Sequence, residues 1–196
     1  VKTLGSMLIE VGEGGLETLL QRPAVMNRLV PAMLRLSGVA DLSLVELTFN
    51  FWASLELSLE ELPDGVHDAF IPVFLHLFRV LLPRCQFPLH SVPAEERDAF
   101  RDFRHLIGDC LKDCVRVIGT STAVSVIREG LLSTNAIDSW QPAEAFLFGL
   151  RTVSSVLERR ESEVLPVLVP ELLGPAYRRH PRHLYAVLLI IGCLAD

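Results

Sequence analysis

A chain of 196 residues, half of them hydrophobic, is long enough to bury one or two ordinary cores. Its formal net charge of −6 argues against duplex nucleic acid as a partner, because duplex-binding proteins carry a basic excess; it suits a basic partner, or simple solubility. Four irregularly spaced cysteines make no disulfide framework and read as reduced thiols, no signal-peptide pattern opens the chain, and the apolar run 184–195 falls short of the roughly 20 residues that span a bilayer.

Apolar residues recur three and four apart almost throughout, and no stretch shows the alternation of a strand. A first helix is predicted over 2–12, and the GEGG of 12–15 separates it from a second over 16–36, bent near Pro23 or Pro31. The third runs over 43–60, with Asp41 or Ser43 as its N-cap. After LPDG at 62–65 comes a helix over 67–82, with Pro72 in its early turns, and then the proline-rich stretch PRCQFPLHSVP.

A long helix is predicted over 94–118, stopped by Gly119, and a shorter one from Ser121 to Leu132. STNAIDSW reads as a loop. Pro142 fits the first turn of a helix that continues to about Arg160. Residues 162–173 hold Pro166 and Pro170, which predicts a short or kinked helix, and Pro181 opens the last one.

Paired, these helices have a rhythm. First members start near 43, 94, 142 and 182, at intervals of roughly 51, 48 and 40 residues, against about 40–47 in HEAT and armadillo arrays. The fold expected is all-α, an α-solenoid of HEAT-type antiparallel helix pairs, with an irregular helical bundle as the alternative. Residues 1–196 then form a single stretch of about four repeats. Because the chain begins without Met and stops within a helical pattern, it reads as a fragment of a longer solenoid.

The segment FRDFRHLIGDCLKDCVRVIG, 100–119, poses the question of chemistry. At 100° per residue, Phe100, Phe103, Ile107, Cys110, Leu111, Cys114, Val117 and Ile118 share one arc, while His105, Asp109, Lys112 and Arg116 fall opposite. His105 therefore cannot join the two thiols around a zinc ion, which needs converging ligands. Apolar surroundings also raise a thiol pKa rather than activate it, so Cys110 and Cys114 read as small buried hydrophobes. The charged face holds several i,i+3 and i,i+4 pairs, as a solvated helix does. No catalytic, cofactor or metal motif appears: GEGG lacks a preceding strand, and G-x-S-x-G, H-E-x-x-H and paired C-x-x-C are absent. The enzyme hypothesis has no positive support. Trp52 and Trp140 read as packing residues.

Partner contact is expected elsewhere. On the second helices of the pairs, His76 and Arg79 share a face with Asp68, and Arg128 shares one with Ser121 and Ser125. Solenoids present such faces on their concave side. The candidate contacts are His76, Arg79, Ser125 and Arg128, followed by Arg178, Arg179 and Arg182 of YRRHPRHL, whose guanidinium forks suit phosphate or an acidic peptide. Solvation alone would account for either group.

Three stretches, LTFNFWASLELSLEEL (47–62), FRDFRHLIGDCLKDCVRVIG (100–119) and DSWQPAEAFLFGLRTVSSVL (138–157), resemble successive landmarks of the importin-β, or karyopherin-β, superfamily. Order and spacing agree over about 30–196, most closely with the transportin-SR branch and its fungal SR-protein import receptors; the neighbouring bidirectional importin branch shares the F-W and S-W-Q-x-x-E-A patterns. The linker 60–67 is shorter than the family leads one to expect. The resemblance implies a nuclear transport receptor that works by binding rather than catalysis. It implies protein cargo, among it SR-type RNA-binding proteins, regulation by Ran-GTP through repeats outside this chain, contact with phenylalanine-glycine nucleoporins, and shuttling between cytoplasm and nucleus. It implies no cofactor, no membrane and no direct nucleic-acid contact. A HEAT scaffold without a transport role is the rival. No functional residue of the family maps onto the three landmarks, which look like packing signatures.

Overall fold

The computed structural model describes residues 16–62, 64–89, 91–134, 139–157 and 162–195, and every regular element among them is helical. The helix predicted over 2–12 lies outside the described residues. The one predicted over 16–36 is two helices, α1 (Leu16–Leu20) and α2 (Pro23–Ser37). Pro23 opens α2, where its missing N–H costs nothing, whereas Pro31 sits inside α2 without ending it.

The helix predicted over 43–60 is also divided, into α3 (Leu42–Leu47) and α4 (Phe49–Glu60). Asp41 is the N-cap and accepts the Ser43 N–H at 3.1 Å. The division falls at Thr48, whose hydroxyl donates to the Val45 carbonyl at 2.7 Å, a local bond that competes with helix continuation. Next, α5 (Asp64–Leu81) tightens into a 3-10 turn, Leu82–Cys85.

The long helix α6 (Ala94–Ile118) ends at Gly119, whose φ of +80° suits glycine and strains any other residue. One residue therefore suffices to turn the chain into α7 (Thr120–Ser133). Pro142 lies in the first turn of α8 (Gln141–Val153), as predicted, but α8 stops short of Arg160. A 3-10 turn, Ser154–Val156, replaces its end, and the Ser154 hydroxyl donates to the Arg151 carbonyl at 2.6 Å. The chain continues through α9 (Leu165–Leu172), α10 (Pro175–Arg178) and α11 (Pro181–Ala195).

These helices stack in two layers. In the first, α4 packs on α6, α6 on α8 and α8 on α11; in the second, α2 packs on α5 and α5 on α7. The second-layer helices α5 and α7 also pack on the first-layer helix of the next pair, α5 on α6 and α7 on α8. Contacts between successive units dominate, as in an α-solenoid.

One continuous core fills the space between the layers, with Trp52, Phe51, Phe74 and Phe78 its largest fully buried side chains. The segment Gly65–Cys85 is long and apolar enough to cross a membrane by length and composition, with a mean hydropathy of 1.4. Phe74, Leu77, Phe78 and Leu81 of this segment are nevertheless wholly buried in the shared core. The 3-10 turn brings Leu82 onto α8 at Gly149, where a Cβ would lie 2.3 Å from Leu82 Cδ2. A larger residue there would push the Leu82 side chain aside.

Candidate functional site

On the second layer, two ion pairs step from one repeat to the next. Arg79 of α5 reaches Glu129 of α7 at 3.3 Å. Arg128 of α7 clasps Glu171 of α9 with both arms of its guanidinium, Nε at 2.8 Å and Nη2 at 2.5 Å. The contact holds the Glu171 carboxyl below its usual range and raises Arg128. Since Arg128 and Glu129 are adjacent, the two pairs form a continuous ladder α5–α7–α9. His76 is exposed and Ser125 half-buried on the same two helices. Arg79 and Arg128 thus already have carboxylate partners within the chain, a pairing hidden in sequence because the partners stand 50 and 43 residues away.

The first layer carries a second constellation. Arg104 of α6 is buried, and its Nη2 donates to both oxygens of Glu144 of α8 at 3.0 Å each; the side chains are 6% and 12% exposed. Its guanidinium is sandwiched between two rings, 4.4 Å from the Phe87 centroid and 3.9 Å from that of Phe148. Arg104 Nε has no hydrogen-bond partner. The ion pair joins the second and third landmark stretches, tying the FRDFR arginine to the glutamate of SWQPAE.

Beside it, two side chains lie against the Trp140 ring. His180 stacks at 5.2 Å and 6° between planes, and the Arg182 guanidinium lies 4.5 Å from the ring. His183 is wholly buried, with Nε2 2.8 Å from the Trp140 carbonyl. A carbonyl only accepts, so Nε2 carries the proton. Burial, His183 and Arg182 push His180 below its ordinary value. Of the basic cluster predicted at 178–182, Arg182 joins this aromatic group, while Arg178 and Arg179 are exposed at the end of α10.

Two adjoining clefts open over these residues, of about 290 and 270 Å³, sharing Phe87, Arg101 and Arg182. Arg151 and Tyr185 wall the first, Arg97 and Val92 the second. The signal in sequence was a charged residue, Arg104, among the apolar positions of α6: it stands four from Phe100 and seven from Leu111, both of the apolar arc.

The rest of α6 follows the helical wheel. Cys110 and Cys114 are buried, and burial together with the adjacent Cys110 pushes the Cys114 thiol far above its ordinary value. His105 and Asp109 are exposed on the opposite side. The charged face makes i,i+3 pairs: Arg101–Asp98 at 2.6 Å, Lys112–Asp109 at 3.0 Å and Arg116–Asp113 at 2.6 Å. Among the described residues no group of three or more His, Cys, Asp or Glu converges as a metal site would require.

Comparison with known proteins agrees with this architecture. Residues 1–83 match a family model described as the Transportin-3/Importin-13 second TPR domain. The chain is 32% identical over 194 residues to the mRNA transport regulator MTR10 of Saccharomyces cerevisiae, covering 95% of this chain and 19% of that protein. It is 26% identical over 188 residues to transportin MOS14 of Arabidopsis thaliana, covering 85% and 20%. To importin-13 of Homo sapiens it is 30% identical over 134 residues, covering 63% and 14%. The chain spans about a fifth or less of the length of these relatives.

Proposed function

Because this chain belongs to the importin-β superfamily, we propose that it is a stretch of about four helix-pair repeats within the solenoid of a nuclear transport receptor. The observation that carries the reading is similarity along 95% of the chain to a transport regulator, in a chain whose helices stack as a two-layer array. The work is binding, not catalysis. In the full-length protein, cargo rests against the second-helix layer, with His76, Arg79, Ser125 and Arg128 as contacts and Arg178, Arg179 and Arg182 as a second patch. SR-type RNA-binding proteins are the cargo in this reading, as the resemblance to the transportin-SR branch implies. Ran-GTP, bound through other repeats, changes curvature and with it cargo affinity, a coupling between sites. Phenylalanine-glycine nucleoporins supply the route through the pore, so the receptor shuttles between cytoplasm and nucleus.

The ladder suits such a role. Each of its pairs is partly or largely exposed, so solvent screens it and it adds little to stability. Its guanidiniums can exchange an internal carboxylate for one on a cargo, and a repeat can shift against its neighbour at small cost. The Arg128→Ala chain is therefore expected to melt within about 3 °C of the parent in a thermal unfolding scan. A larger drop would make the Arg128–Glu171 pair a structural bond and remove Arg128 as a cargo contact.

The reading as a whole is tested by a pull-down from cell extract with the full-length protein, with and without Ran locked in its GTP form. Partners released by Ran-GTP are expected for an import receptor. Partners gained with it would reverse the direction of transport, and partners indifferent to it would leave a helical scaffold.

A further inference from the structure

We propose that the paired clefts on the first-helix layer bind an acidic peptide segment of a partner protein, its carboxylates held by Arg97, Arg101, Arg151 and Arg182. The first observation is charge segregation on an acidic chain. Arg97, Arg101 and Arg104 stand at i, i+4 and i+7 and share one face of α6, spanning about 10 Å along its axis. They line the clefts, whereas Glu95, Glu96, Asp98 and Asp102 of the same helix line neither. From the opposite walls come Arg151 of α8 and Arg182 of α11, neither with a carboxylate partner among the described residues. Glu144 is the one acidic side chain in the two linings, and it is committed to Arg104.

The second observation is how the guanidiniums are held. Arg104 lies on Phe87 and Phe148, and Arg182 on Trp140 and, at 5.4 Å, Phe87. A guanidinium stacked by its face keeps its N–H edges free, and those edges match a carboxylate fork. These contacts restrict Arg182 before any ligand arrives, which lowers the ordering cost of binding. Arg101 holds Asp98, but this pair is exposed and weak enough to yield to a better-placed carboxylate.

The same stacking argues against single-stranded nucleic acid. Such ligands need bare aromatic faces for base stacking. Here His180 and Arg182 already lie against Trp140, and Phe148 carries Arg104 with Arg151 at 5.8 Å. Pro88 and Val92 instead give the second cleft an apolar wall. An extended peptide sends alternate side chains the same way about 6.6 Å apart. That spacing is close to the roughly 6 Å rise from Arg97 to Arg101, so acidic residues alternating with apolar ones fit best. The clefts offer these contacts whether or not the chain serves in transport.

The test is fluorescence anisotropy with the whole 196-residue chain and a short fluorescein-labelled peptide of alternating glutamate and leucine. A lysine–leucine peptide and a short oligouridine are run beside it. Saturable binding of the acidic peptide, weakened by salt, is expected, with little binding of either comparison ligand. The double variant Arg101→Glu/Arg151→Glu should lose affinity at least about tenfold, with helicity unchanged by circular dichroism. Arg28→Glu/Arg35→Glu, exposed on α2 and outside both clefts, should stay within about twofold. Should the double variant not fold, Arg97→Glu, at an exposed position, carries the same expectation of weaker binding. Absence of saturation up to about 1 mM peptide, unchanged affinity in the cleft variants, or tighter binding of oligouridine would each overturn the proposal.

Discussion

The Arg104→Met chain is expected to unfold about 3–5 kcal/mol more readily than the parent in urea, the cost of breaking one side of a buried ion pair. Methionine keeps an unbranched apolar stem between Phe87 and Phe148, so most of the packing survives. What is lost is the charge, leaving the Glu144 carboxylate 12% exposed and without its two 3.0 Å bonds. A carboxylate so placed must bind a proton or open the α6–α8 contact to reach water. The second substitution decides the cause. Arg104→Met/Glu144→Gln removes both charges and should regain at least half of the loss, since neutral groups carry a smaller desolvation cost. If the double variant is as unstable as Arg104→Met alone, packing of the long side chain, not its charge, is what joins α6 to α8.

This pair also marks where the sequence stops being readable. The wheel placed Phe103, Ile107, Cys110, Leu111 and Cys114 on the buried side of α6, and all five are buried. Burial along one helix follows from its own periodicity, so it can be read locally. Arg104 and Glu144 are 40 residues apart, and nothing local says that two successive first-layer helices will bring them together. Arg79 and Arg128 read from the sequence as candidate partner contacts, and the structure gives each a glutamate of the next repeat. Charges on a solenoid meet their partners one repeat away, a distance fixed by stacking rather than by spacing along the helix.

Helix ends divide in the same way. Gly119 and Pro181 act through their own backbones, and both ends fell where expected. Thr48 and Ser154 act through hydroxyl bonds that displace helical ones, and both breaks were missed. A hydroxyl chooses between helix and cap according to what packs beside it. For Thr48 that neighbour is Ser37, 11 residues earlier, at 3.0 Å.

Ser37 leads to the other large effect. Replacing Trp52 with alanine should destabilise the chain by about 3–5 kcal/mol, the range for a large aromatic deleted from a packed core. Trp52 is wholly buried in α4. Its ring meets Phe51 edge-on at 5.0 Å and Phe74 of α5 at 5.8 Å, so one side chain holds both layers. Its Nε1–H donates to Ser37 Oγ of α2 at 2.9 Å, and Ser37 in turn donates to the Met33 carbonyl at 3.0 Å. Alanine would remove the ring from both contacts at once. Phenylalanine would keep most of the ring and lose only the N–H, while Ser37 retains its bond to the Met33 carbonyl; about 1 kcal/mol is expected for that change. The two variants thus separate volume from hydrogen bonding in a single urea series. A cost below about 1 kcal/mol for alanine would mean that α2, α4 and α5 hold together without this residue. If the landmark FNFWASL is a packing signature, the alanine variant should lower the folded fraction while leaving the peptide affinity of each folded molecule unchanged. A changed affinity at constant folded fraction would make Trp52 part of a partner site instead.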